Sequence, residues 1–113
     1  MIIQFTTKLF AEDIEDEFSE FFPFLKIELQ QITGLEDVSG SGALEISGDM
    51  TAFQLHHMLQ NDWLMFAKIF RRNRTLWEEI SDDDSLSLDE QNELGRVDSR
   101  QKGETRFGDV FEI

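Results

Sequence analysis

Two adjacent histidines, His56 and His57, are the side chains of this chain best suited to metal binding or proton transfer. No other histidine and no cysteine occurs among the 113 residues. Neighbouring side chains of a helix point about 100° apart, so a regular helix does not direct both rings at one ion. A zinc site would need His57 with Asp49, Asp62 or another acid brought close by the fold. We therefore predict no metal site, with one histidine at the core edge and the other in solvent.

The acidic run from Asp82 to Asp84 has the composition of a calcium loop without its spacing. In an EF-hand loop beginning at Asp82, Leu86 and Leu88 would stand at ligand positions and Ser87 where the turn glycine belongs. The sequence therefore predicts a solvated acidic loop that precedes a helix.

No pattern of nucleophilic catalysis or nucleotide binding occurs in the sequence. G-x-S-x-G, Walker A and G-x-G-x-x-G motifs are absent, and Ser39 and Ser41 belong to a glycine-containing loop. With 24 acidic residues, no pair of carboxylates stands out as an acid and base couple. We predict no catalytic residues and no cofactor, and therefore not an enzyme.

Basic and aromatic residues cluster in the middle of the chain, against its general acidity. Alternation along residues 64–72 leaves two orientations open for Phe66 and Phe70. They face the helices, or they lie on an open sheet face, where aromatic rings would stack nucleic-acid bases. The candidate contact residues are Phe66, Phe70 and Trp77 on or near the sheet, Arg71, Arg72 and Arg74 at the turn, and Phe107 and Phe111 in the C-terminal tail.

The net charge of −14 decides between classes of partner. Such a field repels phosphate backbones and anionic lipid, and it favours basic proteins, so direct nucleic-acid binding and a membrane partner are not expected. The predicted function is a non-catalytic, acidic protein-interaction or regulatory module, with a protein partner or a second copy of the chain. An alternative is an acidic inhibitor or nucleic-acid mimic, and an unrecognised enzyme comes third. In the mimic, acids of the first helix would enter a basic groove: Glu12, Asp13, Asp16, Glu17 and Glu20.

The elements that must position these residues form an internal repeat. A strand, helix and strand over residues 2–30 recur over residues 43–71, with Ile14 matching Leu55 and Phe18 matching Leu59. Two such units predict an α+β, ferredoxin-like βαββαβ sandwich, extended by a hairpin strand at residues 75–80. A β-grasp, ubiquitin-like arrangement is the alternative.

Local signals set the expected boundaries. Thr51 with Gln54, and Ser87 with Glu90, have capping-box spacing and predict two helix starts. The second of these helices is predicted to be short, ending near residue 94 with Gly95 as its C-cap. Arg71 to Arg74 is predicted to form a tight turn between two strands. We thus predict one domain over residues 1–95, followed by a polar linker and an apolar tail over residues 96–113. The tail would cover its own sheet face or add a strand to a neighbour's edge.

The compartment is predicted from what the sequence lacks. No apolar run approaches the roughly 20 residues that span a bilayer, and the N-terminal residues do not have the pattern of a signal peptide. We therefore expect a protein of the cytoplasm of a prokaryote or phage. The absence of cysteine excludes disulfides, and it fits the periplasm almost as well.

Three segments resemble a family of small, uncharacterised bacterial α+β proteins. They are DMTAFQLHHML, AKIFRRNRTLWEE and SLSLDEQNELG, which together extend over about residues 49–95. The resemblance implies a helix opening near "MT", a strand with "FR", a "W-x-E" strand and a further helix start in this order. It implies no activity, because the family has no associated function.

Overall fold

The computed structural model describes residues 1–5, 8–9, 11–31, 38–39 and 42–104, and these residues form a mixed α+β structure. The predicted fold class is therefore confirmed. In chain order the elements are β1 (Ile2–Phe5), β2 (Lys8–Leu9), α1 (Ala11–Phe21), β3 (Leu25–Gln31), β4 (Val38–Ser39), β5 (Gly42–Glu45), α2 (Ala52–Trp63), β6 (Met65–Asn73), β7 (Leu76–Glu79) and α3 (Leu88–Glu104).

Equivalent strands of the two repeats pair with each other. β1 runs antiparallel to β5, with Ile3 opposite Leu44, and β3 runs antiparallel to β6, with Ile27 opposite Ile69. β7 adds the predicted hairpin strand at the edge of β6. The arrangement is compatible with the ferredoxin-like class. Among the described strands, however, β1–β5 and β3–β6–β7 are separate hydrogen-bonded sheets, and β2 with β4 forms a third pair that the sequence did not indicate.

The core confirms the alignment of the repeats. Ile14 and Phe18 of α1, and their counterparts Leu55 and Leu59 of α2, are all fully buried. They belong to one apolar cluster with strand residues such as Ile69. α1 packs on β3, while α2 and α3 pack on β6. The described helices therefore cover one face of the three-stranded sheet.

Both predicted capping boxes are present. The Thr51 hydroxyl accepts a hydrogen bond from the Gln54 amide at 3.2 Å, and the Gln54 side chain accepts one from the Thr51 amide at 2.9 Å. Ser87 and Glu90 make the same reciprocal pair at 3.1 and 2.9 Å. These bonds satisfy amides that a helix start leaves without intrahelical partners, so both starts are fixed locally.

The predicted turn at Arg71 to Arg74 is wrong. β6 continues through Asn73, and the turn consists of Arg74, in a left-handed conformation with φ 61°, and Thr75. Strand pairing on both sides explains the difference. The Arg72 amide donates to the Phe24 carbonyl at 2.9 Å on one side, while Arg72 stands opposite a residue of β7 on the other.

The predicted end of the last helix at residue 94 is also wrong, because α3 continues to Glu104. Gly95 lies buried inside the helix rather than at its end. A Cβ at this position would lie 2.8 Å from the Phe24 Cβ and 3.2 Å from the Arg71 Cγ. The glycine thus permits close packing of helix and sheet. The helix crosses the domain boundary predicted at residue 95, and the predicted tail over residues 105–113 lies outside the described residues.

We expect Gly95→Ala to destabilise the fold. Overpacking typically costs about 1–3 kcal/mol, whereas the gain in helix propensity is about 1 kcal/mol. The free energy of unfolding, measured by urea denaturation, should fall for Gly95→Ala and fall further for the bulkier Gly95→Val. A chain stabilised by alanine would show that Gly95 has no close-packing role.

Candidate functional site

The orientation of β6 settles which way its aromatic residues point. Met65 and Ile69 are fully buried beneath the helices, whereas Phe66 remains 50% exposed and Phe70 is half-buried. Successive side chains of a strand point to opposite faces. Phe66 and Phe70 therefore lie on the face turned away from the helices.

Directly paired residues place neighbours from three strands on the same face, which we call the open face. Lys26 stands opposite Phe70, and Arg72 stands opposite Trp77. Residues opposite each other across a strand pair share one face. The open face consists of Lys26, Glu28 and Gln30 of β3, Phe66, Lys68, Phe70 and Arg72 of β6, and Trp77 and Glu79 of β7.

Two of the three aromatic rings on the open face are in contact with cationic side chains of the same sheet. The Lys26 ammonium nitrogen lies 4.9 Å from the Phe70 ring centroid and 5.3 Å from that of Trp77. The Arg72 guanidinium carbon lies 5.3 Å from the Trp77 centroid, and its Nε donates to the Arg74 carbonyl at 2.6 Å. These distances are those of cation–π contacts. A nucleic-acid base would have to displace these side chains before it stacked on either ring.

The open face is locally cationic on an acidic chain. It carries Lys26, Lys68 and Arg72 against Glu28 and Glu79. Lys26 pairs with Glu28 at 3.4 Å. Lys68 is exposed, and within the described part of the chain it makes no ion pair or hydrogen bond. Its ammonium group is therefore free to meet a ligand anion.

A cleft of about 710 Å³ adjoins the open face, and Phe66 and Lys68 line both. At its other wall, His56 Nδ1 contacts an Asp82 carboxylate oxygen and ties α2 to the loop after β7. His56 Nε2 is buried and has no hydrogen-bond partner among the described residues. Ser81 also lines the cleft, but its hydroxyl is not joined to that nitrogen. The three side chains thus lack the geometry of a serine–histidine–aspartate triad.

The two histidine side chains differ in their exposure to solvent, as the sequence predicted. The His56 side chain is largely buried, whereas His57 is exposed, 5.9 Å from the Phe53 ring and 3.0 Å from the Asn61 amide. Among the described histidines and acids, no three come together in a group that would hold a metal ion.

Arg71 belongs to the inner side of the sheet and not to the open face. Its Nη1 donates a hydrogen bond to the side-chain oxygen Oε1 of Gln91 at 2.6 Å, and Gln91 is fully buried. The alternation of β6 therefore divides the predicted arginine cluster. Arg72 lies on the open face, whereas Arg71 is hydrogen-bonded to α3. Arg74 lies exposed in the turn. Two further predicted contact residues, Phe107 and Phe111, lie outside the described residues.

The acidic run after β7 is only partly solvated. Asp84 accepts a hydrogen bond from the Leu86 amide at 3.0 Å. This bond, the side-chain amide of Gln91 and the positive charge of Arg71 together hold the pKa of Asp84 below its ordinary value, against a raising effect of burial. Asp83 is exposed, as predicted for the whole run.

The acidic side of α1 is exposed, as expected for a solvated face. It carries Glu12, Asp13, Asp16, Glu17 and Glu20. Glu15 differs from these: its carboxylate accepts a hydrogen bond from the Leu29 amide at 2.8 Å. The bond thus uses a main-chain amide on the outer edge of β3. No pattern in the sequence predicts this contact.

Comparison with known proteins indicates no function for the chain. A scan against protein-family models finds no match, and searches of curated proteins and of solved structures find no significant relative. The resemblance to small bacterial α+β proteins therefore stays a prediction. Of the described helices, none combines the length and apolarity required to cross a bilayer.

We expect Asp84→Asn to change how stability depends on pH. The pKa of Asp84 is lowered in the folded chain. Its negative charge therefore stabilises the fold at pH values above the ordinary aspartate pKa of about 3.9. This contribution is lost as pH falls through the folded pKa. The variant should lower the free energy of unfolding at neutral pH and flatten the decline of that free energy as pH falls below the ordinary pKa of an aspartate.

Asp83→Asn, which removes the same charge from an exposed neighbour, is the matched control for this measurement. Parallel pH profiles for wild type and Asp84→Asn would contradict the stabilising role of Asp84.

Proposed function

We propose that this chain is a non-catalytic protein-interaction module that binds its partner through the open face. The observation that carries the proposal is Phe66, a half-exposed aromatic side chain beside the unpaired Lys68 on a sheet face without a covering helix among the described elements. Exposed aromatic and cationic side chains that lie together are typical of contact surfaces between proteins. We further propose a cytoplasmic setting.

The surface favours a partner segment that combines apolar side chains with carboxylates. An apolar side chain would cover Phe66, while carboxylates would meet Lys68 and Arg72. The rest of the chain is strongly acidic, so a uniformly negative partner would be repelled everywhere else. The negative charge of the partner must therefore be local, which suits a short peptide segment better than a nucleic acid.

The edges of the sheet support a mode of binding for such a segment. Glu15 occupies the outer edge of β3 through its bond to Leu29. β7 is the other edge, and no described strand pairs with its outer side. An extended segment that added to β7 would lie beside Trp77 and within reach of the open face. Strand addition of this kind gives affinity through main-chain bonds and specificity through side-chain contacts.

A second function has one specific observation in its favour. The exposed acids on α1 make no ion pair within the described part of the chain, so they are available to a basic protein groove. An inhibitor of this type would compete with DNA for its target, and its binding would weaken steeply with salt. Binding that is indifferent to salt would exclude it.

Phe66→Ser should remove partner binding. Purified wild-type and variant chains, immobilised as baits for a cell extract, would be compared by quantitative mass spectrometry. Phe53→Ser is the matched control, because Phe53 is 53% exposed on α2 and belongs to no part of the open face. A partner retained equally by wild type and Phe53→Ser, and lost with Phe66→Ser, supports the proposal. Equal retention by all three baits would contradict it.

Lys68→Glu tests the proposed charge of the partner. Reversal of an exposed charge leaves the core intact, but it should weaken binding of an acidic segment and remove much of its salt dependence. Titration calorimetry with the purified partner at low and high ionic strength provides the measurement. Tighter binding after the reversal would show that the partner presents cations to this face.

A further inference from the structure

We infer that the cleft at the end of β7 binds a short zwitterionic peptide that carries an apolar side chain. The peptide would lie against β6, in the place that a longer β7 would occupy. This ligand is a small molecule and not the protein partner proposed above, so its binding is tested independently of that partner.

The cleft exists because β7 ends before it has covered the whole of β6. The Ile80 amide still donates a hydrogen bond to the Ile69 carbonyl of β6 at 2.8 Å. A turn follows at once, in which the Asp84 amide donates to the Ser81 carbonyl at 3.1 Å. The chain therefore leaves the sheet, and residues 65–68 of β6 have no strand partner on that side within the described part of the chain.

The main chain of Ala67 is turned toward this open position. The Arg72 amide of the same strand bonds to the Phe24 carbonyl on the side of β3. Because the main-chain groups of successive strand residues point to alternate sides, the odd-numbered residues of β6 point theirs toward β7, as the bond to Ile69 shows. Ala67 lines the cleft and thus offers it one amide and one carbonyl. An extended ligand can pair its own main chain with both.

The loop after β7 does not fill this position. In the register that sets Arg72 opposite Trp77, Asp82 would stand opposite Ala67. The Asp82 carboxylate instead contacts His56 Nδ1, and this contact holds the loop against α2. The resulting cleft of about 710 Å³ is lined by residues of β6, of α2 and of the loop. Its volume lies in the range of small-molecule binding sites.

An unpaired cation and an unpaired carboxylate line the cleft together, namely Lys68 of β6 and Glu79 of β7. Glu79 stands opposite Phe70, so Lys68 is its diagonal neighbour on the open face, and such neighbours lie roughly 7–8 Å apart. Neither side chain makes an ion pair or a hydrogen bond within the described residues. One ligand that carries both charges can therefore place its carboxylate at Lys68 and its ammonium group at Glu79.

A zwitterion also suits the charge of the whole chain. The net charge of −14 repels a small anion, whereas a ligand without net charge approaches unopposed. Phe66 lines the same cleft and remains half exposed, so it offers apolar surface to a ligand side chain. A peptide of two residues thus finds a contact for both of its termini, for its main chain and for one side chain.

The test uses the dipeptide leucyl-leucine as a probe, together with its N-acetylated form and its C-terminal amide. Titration calorimetry at physiological ionic strength measures the affinity of each form for the full-length chain. The dipeptide should bind at least about tenfold more tightly than either blocked form, because each of these lacks one charged hydrogen-bonding group.

Two variants assign the termini of the dipeptide to their contacts. Lys68→Gln should bind the dipeptide and its amide equally, because the contact of the carboxylate is lost. Glu79→Gln should bind the dipeptide and its acetylated form equally, because the contact of the ammonium group is lost. Glu78→Gln is the matched control, since Glu78 is exposed on the same strand outside the cleft. The control should discriminate against both blocked forms as wild type does.

Absence of binding at millimolar leucyl-leucine would overturn the inference, and so would equal affinities of wild type for all three forms. Chemical-shift mapping of the isotope-labelled chain with the dipeptide reports on the main-chain pairing. The Ala67 amide resonance should be among those displaced most, and an unchanged resonance would overturn the pairing with β6. If the dipeptide fails to bind while a Phe66-dependent protein partner is captured, the inference falls and the proposed function stands.

Discussion

The two-residue alternation of β6 is the constraint on which the rest of the structure depends. Met65 and Ile69 are buried beneath the helices, and each buried side chain of this size stabilises the fold by about 2 kcal/mol. A slip of one residue would expose both and bring Lys68 and Arg72 toward the core. Because buried charges without partners are costly, only one register is stable. The core thereby fixes which side chains form the open face.

The alternation of β6 separates two arginines that are adjacent in sequence, and α3 is attached to one of them. Arg71 donates a hydrogen bond to the side chain of the buried Gln91. The Asn92 side chain accepts a hydrogen bond from the Phe24 amide at 2.8 Å. These contacts, with the close approach at Gly95, hold α3 on the inner side of the sheet. Arg72 is left on the other side, stacked on Trp77. One arginine is thus structural, and its neighbour belongs to the surface.

Local signals explain how much of the fold the sequence predicted. The capping boxes that begin with Thr51 and Ser87 depend on residues three apart, so both helix starts were predictable. The repeat also matched the buried positions of α1 to those of α2. By contrast, Gly95 has the same local features as a C-cap, and only the close approach of Phe24 explains why a glycine stands inside the helix. Pairing on both sides similarly keeps a run of arginines in β6, where the sequence favoured a turn.

The candidate site was predictable in its residues and not in its geometry. Phe66, Phe70 and Trp77 stood out by type, but the sequence left their face undecided, because both sets of alternating positions contain apolar residues. The bond from Leu29 to Glu15, and the contact of His56 with Asp82, join residues far apart in sequence. No spacing rule reveals such contacts, since tertiary packing alone brings them together.

The described residues therefore present two surfaces of opposite character: the acids of α1, and a cationic, aromatic sheet face beside an edge of β7 with which no described strand pairs. We propose that recognition of a partner uses the sheet face. Chemical-shift mapping of the isotope-labelled chain during titration with its purified partner is the most direct measurement. We predict that the largest changes fall on β6, on β7 and on residues 26–30 of β3. Changes concentrated on α1, with the open face unaffected, would contradict the account.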